Sequence, residues 1–182
     1  SAYGHTLVGL GLGLCYLSLY AGFQVYHVIS QPVAFALMVL VTAVGSIISV
    51  RQNSLALAVT AQLGGFLTPL LLGTEENKPH ALFTYLALLN VGMVGIAWYK
   101  NWQALTWLAV VGTIAVHGGW FNAMYGPSQW IIAEGYATLF FVLFLVAMLS
   151  RALRHRVALD ISSLWLHGVL ASWYFGISYT II

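Results

Sequence analysis

The chain has 182 residues, of which 61% are hydrophobic and 5% charged, whereas an ordinary soluble domain carries about 25% charged residues. That composition excludes water as the solvent for most of its surface, and a formal charge of +2 gives no electrostatic footprint for nucleic acid or another polyanion. Apolar stretches of about 18 residues or more recur along the length, each able to cross a hydrocarbon core of about 30 Å as a helix. Runs such as Phe140-Phe141-Val142-Leu143-Phe144 do not alternate in polarity as a membrane β-barrel requires. The expected fold class is an all-α, polytopic transmembrane bundle of about seven spans.

The first span covers about 6–28. Gly9 and Gly13 within it form a small-xxx-small pair suited to close helix approach. Cys15, the only cysteine, reads as a small packing residue and allows no internal disulfide. Ser30-Gln31-Pro32 turns the chain, with Pro32 in the first turn of a second span at about 32–50. After Arg51-Gln52-Asn53 a third span runs over about 54–72 and contains Gly64-Gly65-Phe66-Leu67-Thr68-Pro69. The loop from Gly73 to His80 is the most polar segment. A fourth span at about 81–99 ends in Trp98, Tyr99, Lys100 and Trp102, residues that favour the headgroup region. The fifth, about 103–121, leads through the turn signal Gly126-Pro127 to a sixth at about 130–149. The basic run Arg151, Arg154, His155, Arg156 separates it from a seventh at about 157–182.

Sorting the basic residues by side gives an orientation. Arg51, Lys100, Arg151, Arg154 and Arg156 follow the even-numbered spans, and only Lys78 follows an odd one. Because Lys and Arg are retained in cytoplasmic loops, the N-terminus is expected in the cytoplasm, with the Glu75/Glu76 loop and the C-terminus outside. A faint internal echo accompanies this pattern. Arg51-Gln52-Asn53 followed by Ala56, Leu57 and Gly64 resembles Tyr99-Lys100-Asn101 followed by Ala104, Leu105 and Gly112, at an offset of 48 residues. Helix-hairpin repeats in one orientation would produce it.

Four stretches, in this order and spacing, carry a family resemblance: Tyr16-Leu17-Ser18-Leu19-Tyr20-Ala21, Ala34-Phe35-Ala36-Leu37-Met38, Gly64-Gly65-Phe66-Leu67-Thr68-Pro69-Leu70-Leu71, and Ala81-Leu82-Phe83-Thr84-Tyr85-Leu86-Ala87-Leu88-Leu89-Asn90. They resemble the bacterial membrane-protein family known as domain of unknown function 2339, most clearly over the first two thirds of the chain. The resemblance implies a bacterial inner-membrane location and a longer parent chain, and it brings no catalytic residue. The start at Ser1 and the apolar final residues agree with an internal section of a longer protein.

Candidate chemistry is sparse. Pro69 removes the helical bond to the Gly65 carbonyl, and a residue before proline is pushed out of the α region, so the third span is expected to kink or stop near Thr68. From Ser54 to Thr68 a helix spans about 22 Å, short of the core. A broken helix of this kind lines binding sites in transporters. The candidate polar site comprises Gln62, Thr68, Glu75, Glu76, His80 and Glu134, beside the helix break at Gly64, Gly65 and Pro69. Glu75, Glu76 and His80 offer metal-type ligands, although an exposed acidic loop beside Lys78 is the commoner meaning of such a segment. Glu134 sits at the start of the sixth span, where a carboxylate suits the helix N-terminus. Haem or pigment ligation through His117 or His167 is disfavoured as a shared pair: counted from the cytoplasmic ends they lie at depths of about 21 Å and 12 Å. Hydrogen bonding between helices accounts for them better. No metal or cofactor is expected.

The leading functional expectation is a non-catalytic assembly or scaffolding module, with the bilayer and other transmembrane helices as its partners. A transporter or lipid-handling module with its site at the broken third helix is the alternative. A membrane enzyme modifying an envelope lipid or glycan through Glu75, Glu76, Glu134 and His80 is the second alternative.

Overall fold

The computed structural model describes residues 2–72, 78–155 and 161–181. Among them there is no strand, and seven α-helices follow in order: α1 Ala2–Tyr20, α2 Gln31–Arg51, α3 Leu55–Leu71, α4 Pro79–Lys100, α5 Gln103–Met124, α6 Trp130–His155 and α7 Ile161–Ile181. A π-helical turn, Ala21–Val25, extends α1, and a short 3-10 turn, Pro127–Gln129, precedes α6. The all-α expectation holds. Five segments among the described residues are long and apolar enough to cross a membrane: Thr6–Val25, Gln31–Arg51, Pro79–Lys100, Gln103–Met124 and Pro127–Leu149. The other two helices depart from the seven-span count for different reasons. α3 is apolar but has 17 residues, about 25 Å at 1.5 Å each. α7 has the length, yet Ser162, His167, Ser172 and Ser178 dilute its apolar content.

The chain divides into two compact units, Ser1–Asn77 and Lys78–Ile182. In the first, α2 packs along α3 and α1 touches both. The buried face of α2 is Ala34, Met38, Thr42, Gly45 and Ser49, steps of three and four that lie on one side of a helix. Small residues admit close approach there. A methyl group at Gly45 would stand 2.9 Å from Ala61 Cβ on α3, and one at Gly64 would overlap the ring of Tyr16 from α1. These are the tight crossings of the unit, rather than the Gly9 and Gly13 pair expected from sequence: Gly13 meets nothing and Gly9 only a Leu57 methyl at 3.6 Å. Cys15 is exposed instead of packed.

The helix break expected at Gly64, Gly65 and Pro69 is corrected by the structure, since α3 continues through Pro69 to Leu71. Pro69 stands two residues from the helix end, so little helix remains beyond it to be disrupted. The single bond it removes is the one its own nitrogen would donate, and the turn still closes with Leu72 N–H donating to the Thr68 carbonyl at 3.0 Å. Thr68 satisfies its hydroxyl within the helix, donating to the Gly64 carbonyl at 2.9 Å, and Gln31 Nε2 donates to the end carbonyl of Leu72 at 2.8 Å.

The turns after α2 and α4 are the same structure. Asn53 and Asn101 both adopt the left-handed conformation, with φ of 51° and 54°. The next N–H reaches back five residues in each case, Ser54 to the Ser49 carbonyl at 3.0 Å and Trp102 to the Ala97 carbonyl at 3.2 Å. This is the 6→1 bond of a Schellman ending, where asparagine is the usual substitute for glycine. The two turns stand 48 residues apart, and α3 and α5 start at Leu55 and Gln103 with the same offset. The echo read in the sequence therefore has a structural counterpart in the α2–α3 and α4–α5 hairpins.

Candidate functional site

The second unit holds its polar groups at three levels. At one, Gln103 Nε2 and Trp107 Nε1 donate to Ser162 Oγ at 2.9 and 3.3 Å, tying the start of α5 to the start of α7. In the middle, Asn90 Nδ2 donates to Thr113 Oγ1 at 2.7 Å, joining α4 to α5. The opposite end, where α4 and α6 begin and α5 and α7 finish, gathers the chemistry.

There His117 of α5 is fully buried. Its ring stacks on Phe83 of α4, centroids 4.9 Å apart, and meets Trp173 of α7 edge-on at 5.3 Å. Phe83 also contacts Trp120 and Tyr136, each at 5.0 Å. His117 Nε2 lies 3.3 Å from the Ala133 carbonyl on α6. A carbonyl can only accept, so Nε2 carries the proton and Nδ1 is left as an acceptor. Glu134, the next residue, accepts a hydrogen bond from Ser178 Oγ of α7 at 2.8 Å through Oε1, and its carboxyl acts electrostatically on His117. Three side-chain atoms in this cluster are buried with no hydrogen-bond partner among the described residues: His117 Nδ1, Glu134 Oε2 and Trp173 Nε1. Interiors rarely leave such groups unpaired.

The sequence-derived candidates separate between the two units. Gln62 and Thr68 belong to the first. Gln62 is buried on α3 and donates through Nε2 to Ser46 Oγ of α2 at 3.0 Å. Ser46 in turn donates to the Thr42 carbonyl at 2.7 Å. The Thr42 hydroxyl donates to the Met38 carbonyl at 2.9 Å and its oxygen accepts from the Tyr16 hydroxyl, which also lies 3.3 Å from the Ala61 carbonyl. His80 and Glu134 belong to the second unit. His80 is exposed at the edge of the aromatic cluster, its Nδ1 3.5 Å from the Tyr136 hydroxyl, which Thr84 Oγ1 also approaches at 3.1 Å. Glu75 and Glu76 lie outside the described residues. No cluster of three or more His, Cys, Asp or Glu side chains with metal-binding geometry occurs among the described residues. His117 forms its bond to backbone on a neighbouring helix, the role preferred for it on sequence grounds. His167, on the α7 turn beside buried Leu166 and Leu170, is half-buried. Trp173 and Ser178 were not singled out by the sequence, because within an apolar span a tryptophan reads as bulk and a serine as a small packing residue.

Long apolar helices with side-chain hydrogen bonds between them define a multi-pass α-helical membrane protein. Within that class the chain belongs to a family described as predicted membrane protein (DUF2339), whose model matches residues 1–180. No curated protein and no solved structure matches it.

Proposed function

We propose that the chain is an assembly module of a bacterial inner-membrane protein, binding further transmembrane helices of its own chain or of a partner. The observation that carries this reading is the outer face of α1. Leu7, Leu10, Leu14 and Leu17 are 52 to 64% exposed and recur in steps of three and four, the a and d positions of a heptad. Such a seam interlocks with another helix, while lipid contact needs no such order. The interior of the first unit supports the same role. There Gln62 of α3 bonds to Ser46 of α2 and Tyr16 of α1 to Thr42 of α2, while Ser49, Ser54 and Thr68 bond within their own helices or caps, so two side-chain bonds join the helices of the unit.

Cysteine cross-linking in native membranes tests the seam. In a Cys15→Ser background, Leu10→Cys and Leu14→Cys are expected to cross-link to a neighbouring helix, while Val8→Cys, on another face, stays uncoupled. Equal cross-linking at all three positions, or none at any, counts against a specific helix partner.

A further inference from the structure

We propose that Glu134 and His117 form a proton-binding site within the apolar end of the second unit, coupled through one water molecule held by the Trp173 N–H. This goes beyond the assembly role and does not depend on it. The stoichiometry of the unpaired atoms carries the inference. Of the five buried side-chain atoms without partners among the described residues, Gln62 Oε1 and Asn90 Oδ1 lie elsewhere, and the three of this cluster are two acceptors, His117 Nδ1 and Glu134 Oε2, and one donor, Trp173 Nε1. A group that donates twice and accepts once satisfies all three, and that is a water molecule with its usual complement of about three bonds. The indole N–H can only donate, so a bare metal cation would leave it unpaired. The parts lie close together: the His117 and Trp173 rings are 5.3 Å apart, and the carbonyl that fixes the His117 tautomer belongs to Ala133, adjacent to Glu134.

Transfer across this site balances without another reactant. In the proton-free site, carboxylate and neutral imidazole, the water donates to both; once a proton is bound on Glu134 Oε2 that oxygen donates to the water instead, and as this proton enters the water a water proton passes to His117 Nδ1, converting the neutral pair into a carboxylate and an imidazolium. Nε2–H stays on the Ala133 carbonyl throughout, so the ring need not turn. Ser178 steadies the ionised carboxylate through Oε1. An ionisable pair within apolar spans is costly and marks a functional site by default. The other titratable groups that the packed helices bring near this end are Lys78 just before α4, His80 and Tyr85 of α4, Tyr125 after α5, Tyr136 of α6 and Tyr174 of α7. His80 is the one imidazole among these groups, so it is the group to separate.

The test is infrared difference spectroscopy of the full chain in lipid nanodiscs as pH is stepped between about 4 and 8, carried out in a His80→Asn background. A carboxylic-acid C=O band that titrates in this background and vanishes in Glu134→Gln is expected, with the amide I band reporting retained helix. His117→Asn and Trp173→Phe are each expected to move its midpoint by about one pH unit, a tenfold change in proton affinity. Should Glu134→Gln fail to fold, Glu134→Asp takes its place, and the band is expected to shift in frequency. A band unaffected by either position-134 variant, or a midpoint left in place by both His117→Asn and Trp173→Phe, overturns the proposal. So does loss of the band at fixed pH on adding sodium or methylammonium, which would make the site one for cations.

Discussion

At the scale of single residues, the tightest constraint is the seat of Tyr16 against Gly64. The hydroxyl of Tyr16 is committed to Thr42 and Ala61, so the ring cannot retreat without surrendering buried hydrogen bonds. Gly64→Ala is therefore expected to destabilise the protein by about 1–3 kcal/mol, the usual range for overpacking. Tyr16→Phe should lose about 1 kcal/mol, the worth of an ordinary hydrogen bond. In Tyr16→Leu, where the planar ring is gone, the cost of Gly64→Ala should fall sharply, a coupling that unfolding titrations in detergent micelles would measure. Independent, additive effects would show that the seat is loose. The sequence displayed the unusual glycine pair but not its meaning. A glycine beside a proline reads locally as a breaker, and only the register of α1 against α3 reveals an aromatic ring in the place of a side chain. His117 illustrates the same limit: its burial and interhelical bond follow from an apolar span, whereas Trp173 as its neighbour follows from α7 packing that no local pattern encodes.

At the scale of elements, the matched turns after α2 and α4 make a prediction that isolated loops would not. Left-handed backbone costs an ordinary residue about 1–2 kcal/mol and glycine almost nothing. Asn53→Ala and Asn101→Ala should each destabilise by an amount in that range, and Asn53→Gly and Asn101→Gly should be close to neutral. Thermal unfolding of the four variants checks both the sign and the equivalence. A penalty at one position alone would show that the hairpins share a shape without sharing its energetics. Both asparagines and the basic residues before them were visible as turn chemistry in the sequence, and the helix limits followed. The fate of α3 was not visible, because the rule that proline ends a helix is a rule about helix interiors. Near a helix end proline removes the bond from its own nitrogen, and little helix remains beyond it to be broken.

At the scale of the whole molecule, composition alone was enough for the membrane class and the all-helical architecture, since 5% charged residues leave no other solvent. Span count was harder, as α3 and α7 sit below the length or apolarity that marks a crossing helix. Orientation rests on the charge bias, and it can be tested directly. With Cys15→Ser as background, cysteines at Asn53 and Asn101 are expected to resist a membrane-impermeant maleimide applied to intact spheroplasts, and one at Ser128 to react. The reverse pattern would invert the topology. The brevity of the α2–α3 turn bears on biogenesis as well. Residues 52–54 extend to about 11 Å at most, far less than the roughly 30 Å hydrocarbon core, so the two helices cannot partition separately. α3, which would be a weak insertion signal on its own, shares the fate of α2, whose Ser46 already holds its buried glutamine. The unit of insertion at the translocon is thus the pair, and a mutation that weakens α2 should leave both helices on the wrong side of the bilayer.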